Sequence, residues 1–374
     1  IGVHPQRDDH GMALWLVSME VKYTEPSAAP LRVEAEVPRE DWQRIRSRYE
    51  SGQTVLLQLP MTFRSDDGRT VAEGTFNYFL KQGSQLGPAS MNAKVNPLFS
   101  HKSRASARLI AGVRAAESKS PSPLVRDAWA DTLAGPHGRL LADRFMQTLP
   151  QLQRMVAART LDVDRMVAEL LPKGLVQVVL VGAGYDMRPF RLLEHAPHVH
   201  TFELDLPHMV EDRASLLGRL DDLPAIRRTQ VPFDLRLQTV AEALTSGHGF
   251  DPSATTLFVV EGVSMYLTPD RFDRLVTGIR DLLNGRGSVL WIDLVSRAVI
   301  DGRTGFDSAV GFVESMQRLG EPFLFGLDDP ADYFAERGLT VRRHVRSSDY
   351  HDSASDPVFE HYGFWHIGSS RSGL

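Results

Sequence analysis

The stretch QVVLVGAGYDMRPFR, residues 177–191, decides the fold of this chain. A run of β-branched and apolar residues ends at Val181, and Gly182-Ala183-Gly184 follows at once. Glycine lets the backbone turn tightly and lets a ligand approach it closely. The stretch therefore predicts a buried strand that ends in a ligand-binding turn.

Further apolar runs continue this pattern towards the C-terminus and alternate with helical segments. They read VHTFEL (199–204), IRRTQVPF (226–233), TLFVVEG (256–262) and SVLWIDL (288–294). Strands that alternate with helices predict an α/β fold, here a doubly wound, mostly parallel Rossmann-like sheet covered on both faces. Residues 339–346 and 360–367 are expected to add a closing antiparallel pair.

Acidic residues stand at the ends of successive predicted strands. Glu203 and Asp205 end the second strand, Asp234 the third and Glu261 the fourth. A carboxylate at the end of the second strand can accept both ribose hydroxyls of an adenosine. Each acid taken alone fits a helix cap or a solvated charge equally well, but four at successive strand ends favour a nucleoside ligand.

The glycine turn itself narrows the choice of ligand. A dinucleotide fingerprint needs a third glycine three residues after Gly184, and Met187 stands there instead. No Gly-Lys-Ser/Thr follows either, so a phosphate loop is absent. An adenosine ligand without phosphate fits better, and S-adenosylmethionine is the common one. A nicotinamide oxidoreductase is the alternative that the missing glycine disfavours.

Composition sets the broad class of the protein. The chain has 374 residues, 42% of them hydrophobic and 24% charged, with a net charge of −5 and no cysteine. These values predict a globular protein of more than one module, without disulfides or general nucleic-acid binding. No membrane-length apolar run or signal peptide is recognisable, so a cytoplasmic location and no membrane partner are expected. His195, His198 and His200 lack cysteine or carboxylate partners, and we predict no metal site.

The chain divides into two predicted domains joined by a linker. Residues 1–82 are strand-rich, and Asp67-Gly68 between two strand-like runs predicts a hairpin. Residues 83–103 hold Gly, Pro, Ser and Asn without a period and are predicted to be the linker. Residues 104–374 form the second domain, which opens with predicted helices at 104–118, 124–133 and 140–171. A further short helix is expected at 41–49.

The motifs together resemble a known family. QVVLVGAGYDMRPFRL (177–192), FELDLP (202–207), FDLR (233–236) and VVEGVSMYLTP (259–269) occur in the order typical of the leucine carboxyl methyltransferase-type family. These proteins are class I S-adenosylmethionine-dependent methyltransferases. Ala158-Arg159-Thr160 and the helical front around residues 111–134 also match, so the resemblance covers about residues 104–374.

The resemblance implies a role for each matching position. The family's cofactor is S-adenosyl-L-methionine, and the implied cofactor-binding residues are Arg159, Gly182, Gly184, Glu203, Asp205, Asp234, Leu235 and Glu261. Within this set the acids at 203 and 205 would hold the ribose, residues 234–235 would border the adenine, and Glu261 would bind the amine. Arg159 would also face a carboxylate, and Tyr266 would reach the acceptor, so these two are the candidate catalytic residues. Met187 replaces the threonine of many relatives and leaves one loop contact open.

The first 82 residues resemble, more weakly, the later half of a hotdog-fold thioesterase-like domain. The hotdog's central helix would lie mostly before Trp15, so the module is interpreted as a partial hotdog-like α+β unit. This module suggests that the acceptor is carried on an acyl carrier as a thioester. It also suggests a homodimer, because hotdog units usually pair. The alternative function is an acyl-binding or thioesterase-like protein with a non-catalytic methyltransferase scaffold.

The expected activity is therefore O-methyl transfer to a carboxylate or hydroxyl of a small or carrier-bound biosynthetic metabolite. A carboxylate is already ionised at neutral pH and needs positioning only, whereas a hydroxyl gains from a base such as histidine. None of the 13 histidines falls in a motif that marks it as that base. The sequence thus favours a carboxylate acceptor.

Overall fold

The computed structural model describes residues 12–24, 32–35, 55–65, 67–82, 97–194, 196–283, 287–350 and 357–370. The chain forms two compact units, residues 1–99 and 100–374, each treated by itself below. The predicted helix at 41–49 and the predicted linker as far as residue 96 lie outside the described residues. The predicted domain boundaries at 82 and 104 stay predictions.

The first unit contains an antiparallel sheet in the order β1-β4-β3-β2. Its strands are β1 (Met12–Tyr23), β2 (Arg32–Ala35), β3 (Val55–Arg64) and β4 (Thr70–Gln82). The turn between β3 and β4 closes with hydrogen bonds from Ser65 N to Arg69 O (2.9 Å) and from Gly68 N to Ser65 O (2.8 Å). The predicted Asp67-Gly68 hairpin is confirmed, and the hotdog interpretation stays a prediction.

Three helices precede the second sheet: α1 (Pro97–Ser118), which crosses the boundary between the units, α2 (Ala130–Thr148), which is kinked at Gly135, and α3 (Leu152–Leu170). The predicted start of α1 at residue 104 was wrong by seven residues, and the helix predicted over 124–133 begins only at Ala130. The Asp127 carboxylate accepts hydrogen bonds from the backbone N–H groups of Trp129 and Ala130 (both 3.1 Å), which sets that start. The single helix predicted over 140–171 was also wrong, because Leu149 precedes Pro150 and is extended.

The remaining strands build one sheet in the order β10-β11-β9-β8-β5-β6-β7. They are β5 (Gln177–Val181), β6 (His200–Asp205), β7 (Arg228–Pro232), β8 (Thr256–Val260), β9 (Val289–Val295), β10 (Leu339–Arg346) and β11 (Tyr362–Ser369). Strands β5 to β9 pair in parallel, and β10 and β11 pair antiparallel. The predicted doubly wound, mostly parallel sheet with its closing antiparallel pair is confirmed.

Helices and short turns connect these strands. They are α4 (Arg188–Leu192), α5 (Pro207–Leu217), α6 (Val240–Thr245), α7 (Pro269–Arg280), α8 (Arg297–Ile300), α9 (Asp307–Leu319) and α10 (Pro330–Ala335). Among the described residues no helix is long and apolar enough to cross a membrane.

The central strand β5 explains why the sheet is buried on both faces. Val178 and Leu180 belong to one apolar cluster, whereas Val179 and Val181 belong to the cluster on the opposite face. Side chains alternate between faces along a strand, so the unbroken apolar run QVVLV supplies both cores. Strand β5 pairs with β6 on one side and β8 on the other. This is the switch point where open parallel sheets bind ligands beyond their carboxyl ends.

The antiparallel tail brings a distant part of the chain to the same edge. Strand β11 pairs with β9 so that Tyr362 lies opposite Val295, the last residue of β9. The beginning of β11 therefore lies at the carboxyl ends of the parallel strands. Residues just before and at Tyr362 become candidates for the site there.

Candidate active site

The glycine turn after β5 packs tightly against the loop after β8. Gly182 has a φ of 73°, and a Cβ added to it would lie 2.5 Å from Cγ2 of Val263. The N–H groups of Gly182 and Ala183 both donate to the carbonyl of Leu204, at 2.8 and 3.1 Å. Backbone conformation and space both require glycine at position 182, as the sequence predicted.

Asp205 fastens the second glycine of the turn. Its Oδ2 accepts a hydrogen bond from Gly184 N and its Oδ1 one from Leu206 N, both at 2.7 Å. Burial raises the pKa of Asp205 to about 6, against the lowering effect of these two backbone hydrogen bonds. A carboxylate offers about four acceptor positions, so room remains for hydroxyl donors of a ribose.

Glu203 differs from its predicted role at the ribose. Its side chain is 1% exposed, and its carboxylate forms ion pairs with Arg213 (3.0 Å) and Arg228 (2.9 Å). Arg213 also donates to the backbone carbonyls of Gly184 (3.1 Å) and Asp186 (2.5 Å). Glu203 therefore holds an arginine that supports the glycine turn from behind, and both of its oxygens are occupied.

Asp234 and Leu235 follow the next strand along the sheet. The Asp234 carboxylate accepts from the backbone N and the guanidinium Nε of Arg236, both at 2.9 Å, and is nearly buried. Leu235 is partly buried against the apolar cluster on one face of the sheet. The ends of β6 and β7 meet where Phe233 N donates to the carbonyl of Asp205 (2.7 Å). The predicted place beside an adenine stays a prediction.

Glu261, at the end of β8, is held by two arginines. Nε of Arg159 lies 2.9 Å from one carboxylate oxygen, and Nη2 of Arg188 lies 2.7 Å from the other. Burial alone would raise the pKa of Glu261, but the two guanidinium charges outweigh it and lower the pKa to about 2. Arg188 also pairs with Asp164 at 2.8 Å. The structure thus joins Arg159 and Glu261, two of the predicted site residues.

Asp293 and Tyr362 complete the surroundings of Arg159. Nη1 of Arg159 lies 3.4 Å from an Asp293 oxygen and 3.1 Å from the Tyr362 hydroxyl, which itself donates to Asp293 at 2.5 Å. Asp293 also accepts the N–H of Gly262 at 2.9 Å. Nη2 of Arg159 has no hydrogen-bond partner among the described residues, so this edge of the guanidinium can take a carboxylate of a bound ligand.

An apolar cavity of about 110 Å³ opens beside this arginine. Arg159 and Gly262 form one part of its wall, and Tyr266, His361 and Tyr362 add the remaining polar side chains. The rest of the wall is apolar and comes mainly from α3, α9 and the ends of the sheet: Leu152, Met155, Val156, Val295, Val299, Phe312, Val313 and Phe323. Tyr266 packs edge-on against Phe323, with 5.3 Å between ring centroids.

Sequence reasoning missed four residues of this site: Arg188, Asp293, His361 and Tyr362. Asp293 left a signal, because it is the single charge within the buried run SVLWIDL. Arg188 lies in the motif at residues 177–191, but nothing in the local sequence marks it as buried. His361 and Tyr362 left none, since only the pairing of β11 with β9 brings them here.

The candidate metal ligands of the described ranges do not cluster into a metal site. No group of three His, Asp or Glu side chains there could hold a metal ion. Of the three histidines considered above, His200 shares a hydrogen bond with Thr229 Oγ1 at 2.8 Å. His195 lies outside the described residues.

These groups fit a ligand that joins an adenosine to an amino acid. The turn at residues 182–184 presents backbone without side chains, and Asp205 keeps free acceptor positions for ribose hydroxyls. Both oxygens of Glu261 are held by arginines, so its predicted role at an ammonium group stays a prediction. Nη2 of Arg159 can donate hydrogen bonds to a carboxylate. S-adenosylmethionine contains both an adenosine ribose and an amino-acid carboxylate.

Comparison with known proteins supports the same conclusion. Residues 107–280 match the family model described as leucine carboxyl methyltransferase. A Mycobacterium sp. strain KMS protein, provisionally named an S-adenosyl-L-methionine-dependent methyltransferase, is 31% identical over 278 residues, which cover 69% of this chain and 87% of that protein. A Mycobacterium avium strain 104 protein with the same provisional name is 32% identical over 205 residues, or 51% of this chain and 66% of that protein.

A solved structure shares the fold. The DUF574 family protein from Streptomyces avermitilis superposes with a TM-score of 0.50 and 17% sequence identity, covering 71% of this chain and 96% of that one. With the relatives above, the chain belongs to the leucine carboxyl methyltransferase family of S-adenosyl-L-methionine-dependent methyltransferases.

Proposed function

We propose that this methyltransferase is an O-methyltransferase whose acceptor, a carboxylate or a hydroxyl, belongs to a small or carrier-bound metabolite with an apolar body. One observation carries the proposal: the cavity beside Arg159 and Gly262 is apolar over most of its wall. Apolar pockets with a few polar groups bind organic ligands and orient them through those groups. An acceptor seated there would present its oxygen at the carboxyl edge of the sheet.

The donor, in this proposal, lies along the ends of β5 to β8. The backbone of Gly182 and Gly184 faces the donor, and Asp205 accepts hydrogen bonds from the ribose hydroxyls. Glu261 and Arg159 hold the amino-acid part. Asp234 and Leu235 border the adenine. Bound S-adenosyl-L-methionine would supply a methyl group on a sulfonium sulfur, and the neutral thioether is a good leaving group. The side chains therefore need to align the acceptor oxygen and exclude water.

Tyr266 is proposed to orient the acceptor. It lies in the cavity wall, three residues before Pro269, the first residue of α7, and Phe323 packs edge-on against its ring. Burial, then the nearby charge of Glu321, raises the pKa of Tyr266, so the hydroxyl stays protonated and can donate a hydrogen bond.

The experiment compares donor binding with methyl transfer in a variant whose cavity is filled. Val299→Trp places a large side chain in the cavity wall, whereas Val176→Trp changes an exposed valine before β5. We expect Val299→Trp to abolish transfer of a labelled methyl group to acceptors while calorimetry shows unchanged donor binding, and Val176→Trp to behave as the wild type. Treatment of the product with base then distinguishes a methyl ester from a methyl ether, since esters hydrolyse and ethers do not. Normal turnover by Val299→Trp would contradict the proposal.

One alternative function is removed, and the other makes a testable prediction. The family takes S-adenosyl-L-methionine, which removes the nicotinamide alternative. The acyl-binding alternative, with a non-catalytic methyltransferase scaffold, predicts donor binding without methyl transfer to any acceptor. A carrier-bound acceptor and a homodimer stay part of the proposal. Methylation of a free acceptor with no gain from its carrier-bound form would exclude the carrier.

A further inference from the structure

His361 lies in the cavity wall because of the antiparallel tail. It ends a short helical turn, Pro357–His361, directly before β11. Its carbonyl accepts a hydrogen bond from Ser296 N at 3.0 Å, which continues the pairing between β11 and β9 by one residue. The imidazole is thereby fixed at the carboxyl edge of the sheet, where the acceptor oxygen is proposed to lie.

The two ring nitrogens of His361 have different surroundings. Nδ1 lies 2.9 Å from Oγ of Ser296, and the ring of Phe306 packs edge-on with 6.0 Å between centroids. Nε2 has no hydrogen-bond partner among the described residues. When Nδ1–H donates to Ser296, Nε2 carries the lone pair and can accept a proton.

The charges around the cavity disfavour an anionic acceptor. Arg159 is the arginine in the cavity wall. Its guanidinium already donates hydrogen bonds to Glu261, Asp293 and Tyr362. Its remaining Nη2 is assigned above to the donor's carboxylate. A second carboxylate in this apolar cavity would be desolvated without an ion partner, which is costly.

A neutral hydroxyl avoids this cost but needs a base. Its oxygen is a weak nucleophile until the proton leaves, and general-base catalysis contributes typically about 10²–10⁴-fold to such steps. Among the side chains of the wall, the imidazole of His361 offers a ring-nitrogen lone pair that can accept this proton.

We propose that His361 is the general base of the reaction and that the acceptor is a hydroxyl group, phenolic or enolic, on an apolar body. The inference rests on the proposed function and replaces the carboxylate acceptor that was predicted from the sequence. As the methyl carbon forms its bond to the acceptor oxygen and leaves the sulfonium sulfur, the hydroxyl proton passes to Nε2 of His361. The products are a methyl ether and S-adenosylhomocysteine, and the proton later leaves to water.

The test uses probes that share an apolar body but differ in charge. Wild type, His361→Gln and the control His137→Gln, an exposed histidine of α2, are assayed with 2-naphthol, 2-naphthoate and the more acidic 4-nitrophenol. We expect His361→Gln to lower kcat for 2-naphthol by about 10²-fold or more, as loss of a general base does. For 4-nitrophenol at a pH where it is already ionised, we expect weak binding to all three proteins because the ion is desolvated, but only a small loss of kcat in His361→Gln. His137→Gln should match wild type throughout.

A second readout does not depend on turnover. The absorbance of 2-naphthol bound in the presence of S-adenosylhomocysteine reports whether its proton has moved. We expect a larger naphtholate signal in wild type than in His361→Gln. Equal spectra, an equal loss of kcat on both phenols, or preferred esterification of 2-naphthoate by wild type would each overturn the assignment. Failure of the proposed function is distinct, because the wild type would then transfer no methyl group to any of the three probes.

Discussion

Arg188 and Glu261 form a buried ion pair in which Nη2 of the arginine lies 2.7 Å from a carboxylate oxygen, with 2% and 10% of the two side chains exposed. Arg159 occupies the other oxygen of the same carboxylate. Three segments distant in sequence, α3, α4 and the end of β8, therefore meet at one charge. This arrangement fixes the direction of Arg159 and leaves its Nη2 for a ligand.

Replacing Glu261 should cost both stability and donor binding. Glu261→Gln leaves two buried guanidinium groups short of a countercharge, and removing one partner of a buried ion pair typically costs about 3–5 kcal/mol. Denaturant unfolding measures the loss. The control is Glu169→Gln, whose exposed pair with Arg343 should contribute less than about 1 kcal/mol. Equal effects of the two changes would contradict the buried cluster.

The same carboxylate gives a pH dependence. The pKa of Glu261 is lowered from 4.5 to about 2, so its pairing stabilises the fold fully above pH 4.5 and the contribution is lost as the pH falls towards 2. Acid unfolding of Glu261→Gln should lack this part of the slope. A wild-type slope in the variant would show that the ion pair does not control acid stability.

The glycine turn offers a matched pair of substitutions. Gly182→Ala must adopt a positive φ and place its Cβ 2.5 Å from Val263, whereas Gly174→Ala, at φ 87°, meets no atom within 4 Å. In both variants the positive φ costs about 1–2 kcal/mol of backbone strain. Only Gly182→Ala must also displace the turn, because its Cβ would clash with Val263. We expect donor affinity, measured by calorimetry, to fall at least about tenfold in Gly182→Ala, or 1.4 kcal/mol, and to be unchanged in Gly174→Ala. Unchanged affinity in both would remove the turn from the donor site.

Asp205 predicts how donor affinity varies with pH. The unfolded chain releases this proton near pH 3.8 and the folded chain near 6, so between these values the fold holds more protons and loses stability as the pH rises. Ribose hydroxyls donate to the ionised carboxylate. Donor affinity should therefore rise as the pH increases through about 6. Calorimetry from pH 5 to 8 measures this, and Asp205→Asn should bind weakly with no such step.

Glu203 and Asp205 should separate into a supporting and a binding residue. Glu203→Gln removes the charge that Arg213 and Arg228 share, and we expect a loss of about 3–5 kcal/mol in unfolding free energy, as for other buried pairs. Under conditions in which both variants are fully folded, Glu203→Gln should weaken donor binding less than Asp205→Asn does. If Glu203→Gln weakened the donor more than Asp205→Asn, the ribose role predicted from the sequence would be restored.

Tyr266→Phe tests the acceptor side alone. The change keeps the ring against Phe323 and removes the hydroxyl, so unfolding free energy should shift by less than about 1.5 kcal/mol. We expect kcat/KM for the acceptor to fall while the donor Kd is unchanged. A weaker donor Kd would place this hydroxyl at the donor.

Several parts of the fold could be predicted from short stretches of sequence. The unbroken apolar run at residues 177–181 identified a strand buried on both faces, and the Gly-Ala-Gly that follows identified its ligand-binding turn. Asp67-Gly68 identified a hairpin for the same reason: turn chemistry and side-chain periodicity are local properties. The helical front was predicted less well, because the cap at Asp127 and the break before Pro150 outweighed an otherwise continuous helical pattern.

The site divides along the same line. The sequence by itself determined which strand ends carry acids and that Gly182 must lack a side chain. Only the tertiary structure decided what each acid does: Glu203 and Asp205 share a face of β6, yet one is enclosed by two arginines and the other faces the turn. Arg159 meets Glu261 across 102 residues and Tyr362 across 203. Such contacts depend on strand order and on the antiparallel return of β11, and no local pattern encodes them because the pairing free energy is realised only when the whole sheet forms.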